Sequence, residues 1–292
     1  MIILNEKEYA EECLRNKTIS GKPFYTLSIL AKYYYYVYGH RKKKIITILT
    51  EFMSKYYPMY SADRLRWDDT IEKIASNAGK YVLHEIDGVW ITQSELDVIK
   101  GINNKVLERL AFTMLCLAKL NNARNPKNNG WVNQSAKEIF TLARISCSVI
   151  NRYERLSQLY QMSLLELPKR NDNLNCRVTY INDDSDKVLF ISDFRELGYE
   201  YLKHKGEKFI RCSECRILIR NNKSGTKRYC KDCSGYTPQR FKTVVCIDCG
   251  NEFEVDSRNN RSCRCKTCQT YMDKENARKR KQKQRQNSDM SR

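Results

Sequence analysis

The chain has 292 residues, enough for two domains and a third small module, and 53 Lys and Arg against 34 Asp and Glu give it a formal charge of +19. No run of eighteen apolar residues occurs, which excludes a membrane-spanning helix. No secretory signal pattern opens the chain, so its 13 cysteines are expected in the reducing cytoplasm and not in disulfides. The charge is uneven: residues 203–292 hold 24 Lys and Arg against 10 Asp and Glu, which points to a polyanionic partner.

Residues 1–102 are expected to form a helical domain without a legible role. Leu27, Leu30, Ala31, Tyr34, Tyr35 and Tyr38 recur at helical steps up to Gly39. Ile45, Ile48, Leu49, Phe52, Met53 and Tyr56 mark a second helix that Pro58 stops, and a third, over 65–78, ends at Gly79. The run Tyr33-Tyr34-Tyr35-Tyr36 precedes Arg41-Lys42-Lys43-Lys44, but four consecutive side chains point around most of a helix, which favours packing over a base-stacking platform. Residues 81–91 read as two extended pieces around Asp87-Gly88, and Thr92-Gln93-Ser94-Glu95 is a capping box opening a short helix.

Residues 103–202 form the second expected domain. A largely buried helix over 105–120 carries Val106, Leu107, Leu110, Ala111, Met114, Leu117 and Ala118. A second opens at the capping box Ser135-Ala136-Lys137-Glu138 and packs through Ile139, Phe140, Leu142 and Ala143. A third, over 148–166, is expected to bury Val149, Ile150, Tyr153, Leu156, Leu159 and Tyr160 before Pro168. Segments 177–181 and 187–191 are expected to pair as a hairpin around Asn182-Asp183-Asp184-Ser185-Asp186.

Three helices followed by a β-hairpin resemble the winged-helix form of the helix-turn-helix. The resemblance implies a third helix in the major groove of double-stranded DNA, with Ser148, Asn151, Arg152 and Arg155 at base edges. Asn and Arg are the residue types with bidentate geometry for adenine and guanine. The acidic tip at Asp183-Asp184 would repel phosphate, so either that wing turns away from DNA or the unit contacts protein.

Nine cysteines fall between 212 and 268. Cys212-Ser-Glu-Cys215 is answered by Cys230-Lys-Asp-Cys233, and Cys246-Ile-Asp-Cys249 by Cys265-Lys-Thr-Cys268. This C-x2-C, gap, C-x2-C spacing, written twice, is that of structural zinc sites, and predicts two zinc ribbons over 203–236 and 237–270, each with one Zn²⁺. Ile217-Leu218-Ile219 is expected to pair with Arg228-Tyr229, and Glu252-Phe253-Glu254-Val255 is the strand of the second ribbon. Cys263 competes with Cys265 as a ligand, and the two-residue spacing to Cys268 favours Cys265. Cys13, Cys116, Cys147 and Cys176 read as packed side chains.

Lys223, Lys227, Arg228, Arg258, Arg261 and Arg264 are candidates for phosphate contacts. So is a basic tail over 271–292 with Arg278, Lys279, Arg280 and Lys281, expected to be disordered or helical when bound.

No Walker loop, His-Glu-x-x-His or Gly-x-Ser-x-Gly motif occurs, and the three histidines are isolated. Asp68-Asp69 and Asp183-Asp184 are the adjacent acids that a metal-dependent nuclease would use. The whole reads as a mainly-α, non-enzymatic chain with a helical N-terminal domain, a winged helix, two zinc ribbons and a basic tail. In that combination it resembles transcription or replication regulators of phages and mobile elements of low-GC Gram-positive bacteria. The resemblance implies a nucleoid-associated, site-specific DNA-binding protein. The other reading is an adaptor whose ribbons bind a polymerase or replication protein.

Overall fold

The computed structural model describes residues 2–19, 22–168, 175–221, 225–235, 241–256 and 263–290. Helices predominate among them, and none is long and apolar enough to cross a membrane. The chain divides into two compact units, Met1–Cys230 and Lys231–Arg292.

The first unit holds two apolar clusters. Four helices, α1 (Glu6–Asn16), α2 (Pro23–Tyr36), α3 (Lys42–Tyr56) and α4 (Arg64–Asn77), enclose the first. Asn5 caps α1 by accepting from the Glu8 N–H, and Pro23 sits in the first turn of α2, where its missing N–H costs nothing. Leu27, Leu30, Ile45, Leu49, Met53 and Ile71 are fully buried between them. Within the tyrosine run, Tyr33 is buried against this core while Tyr36 faces solvent.

The second cluster begins with β1 (Val89–Thr92) and α5 (Gln93–Gly101), which pack with α6 (Lys105–Arg124), beyond the 102/103 boundary expected from sequence. The Thr92–Glu95 capping box forms as its spacing predicts. Helix α6 is buried nearly all round, from Leu107 to Asn121, because elements pack on every side of it. Around it lie β2 (Trp131–Val132), α7 (Ala136–Leu142), α8 (Val149–Gln161), β3 (Leu165–Glu166), β4 (Cys176–Val178), β5 (Lys187–Ile191) and α9 (Leu197–His204). Helix α7 opens on the Ser135–Glu138 capping box and ends with Arg144 in the left-handed region. There α9 crosses so closely that a Cβ on Gly198 would lie 2.0 Å from the Ala143 carbonyl oxygen, which only glycine permits.

Strand pairing departs from the expected hairpin. β4 pairs antiparallel with β2 on one edge and β3 on the other, in the order β2-β4-β3, and β5 pairs instead with β1. Both edges of β4 are occupied, so none is left for β5. The acidic segment 182–186 is a crossover tied to α5: the Asn182 N–H donates to Glu95, the Thr92 hydroxyl to the Asn182 carbonyl, and Lys119 pairs with Asp183. The hairpin that directly follows α8 is β3–β4, whose connection spans 167–175.

Helix α8 is rotated relative to its expected packing. Val149 and Ile150 are 58% and 71% exposed, and Tyr153 and Tyr160 also face solvent. Leu159 is buried and Leu156 half-buried, on the side that carries Arg152 and Arg155. The helix rests on α6 and β3 through its C-terminal half, leaving its first turn clear of the core.

β6 (Phe209–Arg211) and β7 (Leu218–Arg220) form a hairpin at the end of the first unit. The second unit repeats it with β8 (Phe241–Val245) and β9 (Glu252–Asp256), then continues as one helix, α10 (Lys266–Met290). The tail is thus helical from within the last cysteine pair. Its Lys, Arg and Gln residues are good helix formers, and the fold around Cys265 starts the first turn.

Candidate metal centres

In both hairpins the turn is a cysteine pair, and the two repeat bond for bond. Cys212 N–H donates to Ile217 O at 2.9 Å and Cys246 N–H to Asn251 O at 2.9 Å. Arg216 N–H returns to Cys212 O at 3.0 Å and Gly250 N–H to Cys246 O at 2.9 Å. Residues Arg216 and Gly250 both have positive φ, 60° and 73°, which turns the chain back into the second strand. β7 therefore pairs with the strand before the cysteines, and Arg228-Tyr229 is no return strand. The Arg228 carbonyl instead accepts from Ser213 N–H at 3.0 Å and closes the turn.

The second cysteine pair of each metal group approaches from the other side. Cys230 N–H donates to Cys212 Sγ at 3.2 Å and Cys265 N–H to Cys246 Sγ at 3.3 Å, so Cys265 stands where Cys230 does. Cys263 matches Arg228: its carbonyl accepts from Ile247 N–H at 3.0 Å, and its side chain is exposed outside the cluster. Replacing Cys263 by Ser is therefore expected to leave two metal ions per chain, and replacing Cys265 by Ser to leave one, as counted by native mass spectrometry.

Cys212, Cys215, Cys230 and Cys233 form one group and Cys246, Cys249, Cys265 and Cys268 the other, with sulfurs all within 4.8 Å of one another in each. The Cys215–Cys230 and Cys249–Cys265 separations are 3.6 and 3.8 Å. A disulfide would need about 2.05 Å. A tetrahedron with metal–sulfur bonds of about 2.3 Å has edges of about 3.8 Å. The geometry fits two metal sites.

The electrostatics agree. Burial pushes the Cys212 thiol up, but the N–H groups of Cys230, Cys215 and Glu214 outweigh it and hold the thiol at about 6. Cys246 is brought to about 6 by the N–H groups of Cys265 and Cys249. Cys268 is driven the other way by Cys265 and Cys249. Crowded thiols cannot all ionise alone; a divalent cation in their midst would remove the remaining protons.

The residues expected at DNA are less uniformly placed. Ser148 caps α8, its oxygen accepting from Asn151 N–H, and Asn151 is exposed. Arg152 folds back to donate to the Cys147 carbonyl, with its Nε buried and unpartnered. Arg155 is half-buried. Arg264 is held by Asp248 at 2.6 Å, and Lys227 and Arg228 are exposed. Arg278, Lys279, Arg280 and Lys281 lie exposed along α10, where Lys279 pairs with Glu275. Lys223, Arg258 and Arg261 lie outside the described residues, as does the linker at 237–239.

The paired acids serve other partners: Asp68 accepts from Tyr60, Asp69 pairs with Lys73 and Asp183 with Lys119. Comparison of the chain with family models, curated proteins and solved structures finds no match.

Proposed function

We propose that the protein binds double-stranded DNA through a winged-helix unit made of α6, α7 and α8 with the β2-β4-β3 sheet. Two structural Zn²⁺ ions in the cysteine groups hold its C-terminal modules as zinc ribbons. The observation that carries this reading is the position of β3–β4. A hairpin directly after the third helix is what the winged-helix resemblance requires, and its connection, 167–175, contains Lys169 and Arg170, whereas the hairpin expected from sequence has an acidic tip. Zinc is the metal that closed four-thiolate tetrahedra select.

Base contacts then come from the solvent side of α8, from Asn151, Tyr153, Ser157 and Gln158, with α10 tracking phosphates. A role in transcription regulation or replication initiation of a mobile element rests on the resemblance alone.

Selection of duplexes from a random pool by the zinc-loaded protein, at about 0.15 M salt, tests the reading under conditions where non-specific binding is weakened. A discrete motif is expected. Asn151→Ala should lower discrimination at one base pair by about tenfold or more, consistent with about 1–3 kcal/mol for a bidentate contact. Deleting 278–292 should weaken all duplexes alike. Absence of any enriched motif would discard site-specific binding.

A second reading is favoured by one observation: Val149, Ile150 and Tyr153 are exposed apolar residues on α8 beside Glu154. An adaptor that docks a polymerase or replication protein there would bind DNA only below physiological salt.

A further inference from the structure

The first metal hairpin is joined to the helical core by specific contacts. Arg211 reaches Glu200 at 2.7 Å and Asp193 at 3.3 Å, and Arg195 donates to the Cys215 carbonyl at 2.9 Å. A ladder of rings and guanidinium groups crosses the junction. Arg144 lies over Tyr199 at 5.6 Å, Tyr199 against Phe209 at 4.9 Å, and Arg220 over Phe209 at 5.6 Å. The end of α7, helix α9 and the β6–β7 hairpin are thereby held as one piece.

Positive charge collects along this junction without enough negative charge to balance it. Arg144 is paired with Glu196, and Glu207 serves both Arg220, at 2.8 Å, and Lys105, at 3.5 Å. Among the described residues, Arg109 donates only to backbone carbonyls, those of Lys105 and Arg144. Burial lowers the Arg109 pKa and the nearby Arg220 lowers it further, against an opposing pull from Tyr199 and Glu207. Cations crowded in this way raise one another's energy, and an anion along the junction relieves the repulsion.

We propose that this junction, built by Arg109 and Arg220 with Arg144 and Lys105, binds the phosphodiester backbone of DNA beside the segment that α8 reads. The first zinc module is then part of the DNA interface as well as a folded appendage. The inference rests on the DNA-binding reading, and adds to it a site assembled from three separate stretches of chain. None of Lys105, Arg109, Arg144 or Arg220 stands out in the sequence.

The test uses the full-length, zinc-loaded protein and its selected duplex, with affinity measured across salt concentrations. Each phosphate contact contributes about 0.9 to the slope of log K against log salt. Arg109→Gln with Arg220→Gln should lower the slope by about two and weaken binding at least tenfold at about 0.15 M salt, with the selected motif unchanged. Glu207→Gln should act oppositely and tighten binding. Circular dichroism and a metal content of two confirm that each variant is folded. A control double change, Lys42→Gln with Lys43→Gln on α3, should leave the slope unaltered. Wild-type binding to a discrete motif, with slopes unchanged in the junction variants, would overturn this site and leave the DNA-binding reading standing. Failure of the wild type to bind any duplex would overturn both.

Discussion

Removing the metal from the intact chain is expected to abolish the fold of the β8–β9 hairpin and to loosen β6–β7, while leaving α6 and its surroundings folded. Among the described residues, the second module buries little besides Cys246 and Val255, and the first little besides Leu218, Ile219 and two of its cysteines. Neither can offset the conformational entropy of ordering about thirty residues, at about 1–2 kcal/mol each, by apolar burial alone. Structural zinc supplies about 10–16 kcal/mol of apparent binding free energy at neutral pH, which for such modules is folding free energy. The two should not respond alike. Phe209 packs against the second core and Arg211 is held by Asp193 and Glu200, so β6 keeps partners after the metal leaves. Amide exchange followed during chelation should therefore show protection lost first over 241–256, then over 218–230, with 107–120 unaffected. Protection of both hairpins that survives complete metal removal would show that the cysteine groups are not structural metal sites.

Lys119→Ala is expected to destabilise the first unit by about 3–5 kcal/mol, the usual consequence of leaving a buried charge without its partner. Glu95 is wholly buried, and Lys119 Nζ reaches it at 2.8 Å, the Trp90 carbonyl at 2.7 Å and Asp183 at 2.8 Å. The same carboxylate accepts from Thr92 N–H and Asn182 N–H. It thus ties β1, α5 and the 182–186 crossover to the central helix. Urea unfolding should show a lower midpoint with little change in slope. The double change Glu95→Leu with Lys119→Met should recover only part of the loss: it removes the uncompensated charge but leaves the Thr92 and Asn182 N–H groups without their acceptor. A single Lys119→Ala effect below about 1 kcal/mol would mean that Glu95 finds water in the native state.

How far the candidate sites can be read in advance depends on how near their parts lie in the chain. The metal groups are visible because each knuckle is four residues long, and two knuckles suffice to close a tetrahedron. Cys263 is set apart from Cys265 in the sequence by spacing alone, and the fold agrees: Cys265 N–H donates to Cys246 Sγ, whereas the Cys263 carbonyl accepts from Ile247 N–H as that of Arg228 does from Ser213 N–H. The packing face of α8 escapes the sequence for another reason. Val149, Ile150, Tyr153 and Tyr160 look like a core stripe by periodicity, but a helix that meets the core only through its C-terminal half buries Leu159, half-buries Leu156 and leaves the others in water.

Local features follow from the amino-acid sequence alone: where α5 and α7 begin, through Thr92–Glu95 and Ser135–Glu138, and which cysteines stand in pairs. Those depend on interactions within three or four residues, which no distant partner needs to complete. Only the closed fold brings β2 and β3 to β4, β5 to β1 about a hundred residues earlier in the chain, and Arg109, Arg144 and Arg220 along one junction. A strand edge accepts any suitable partner, and like charges do not seek one another. Their positions follow from how the whole core closes, which local patterning does not encode.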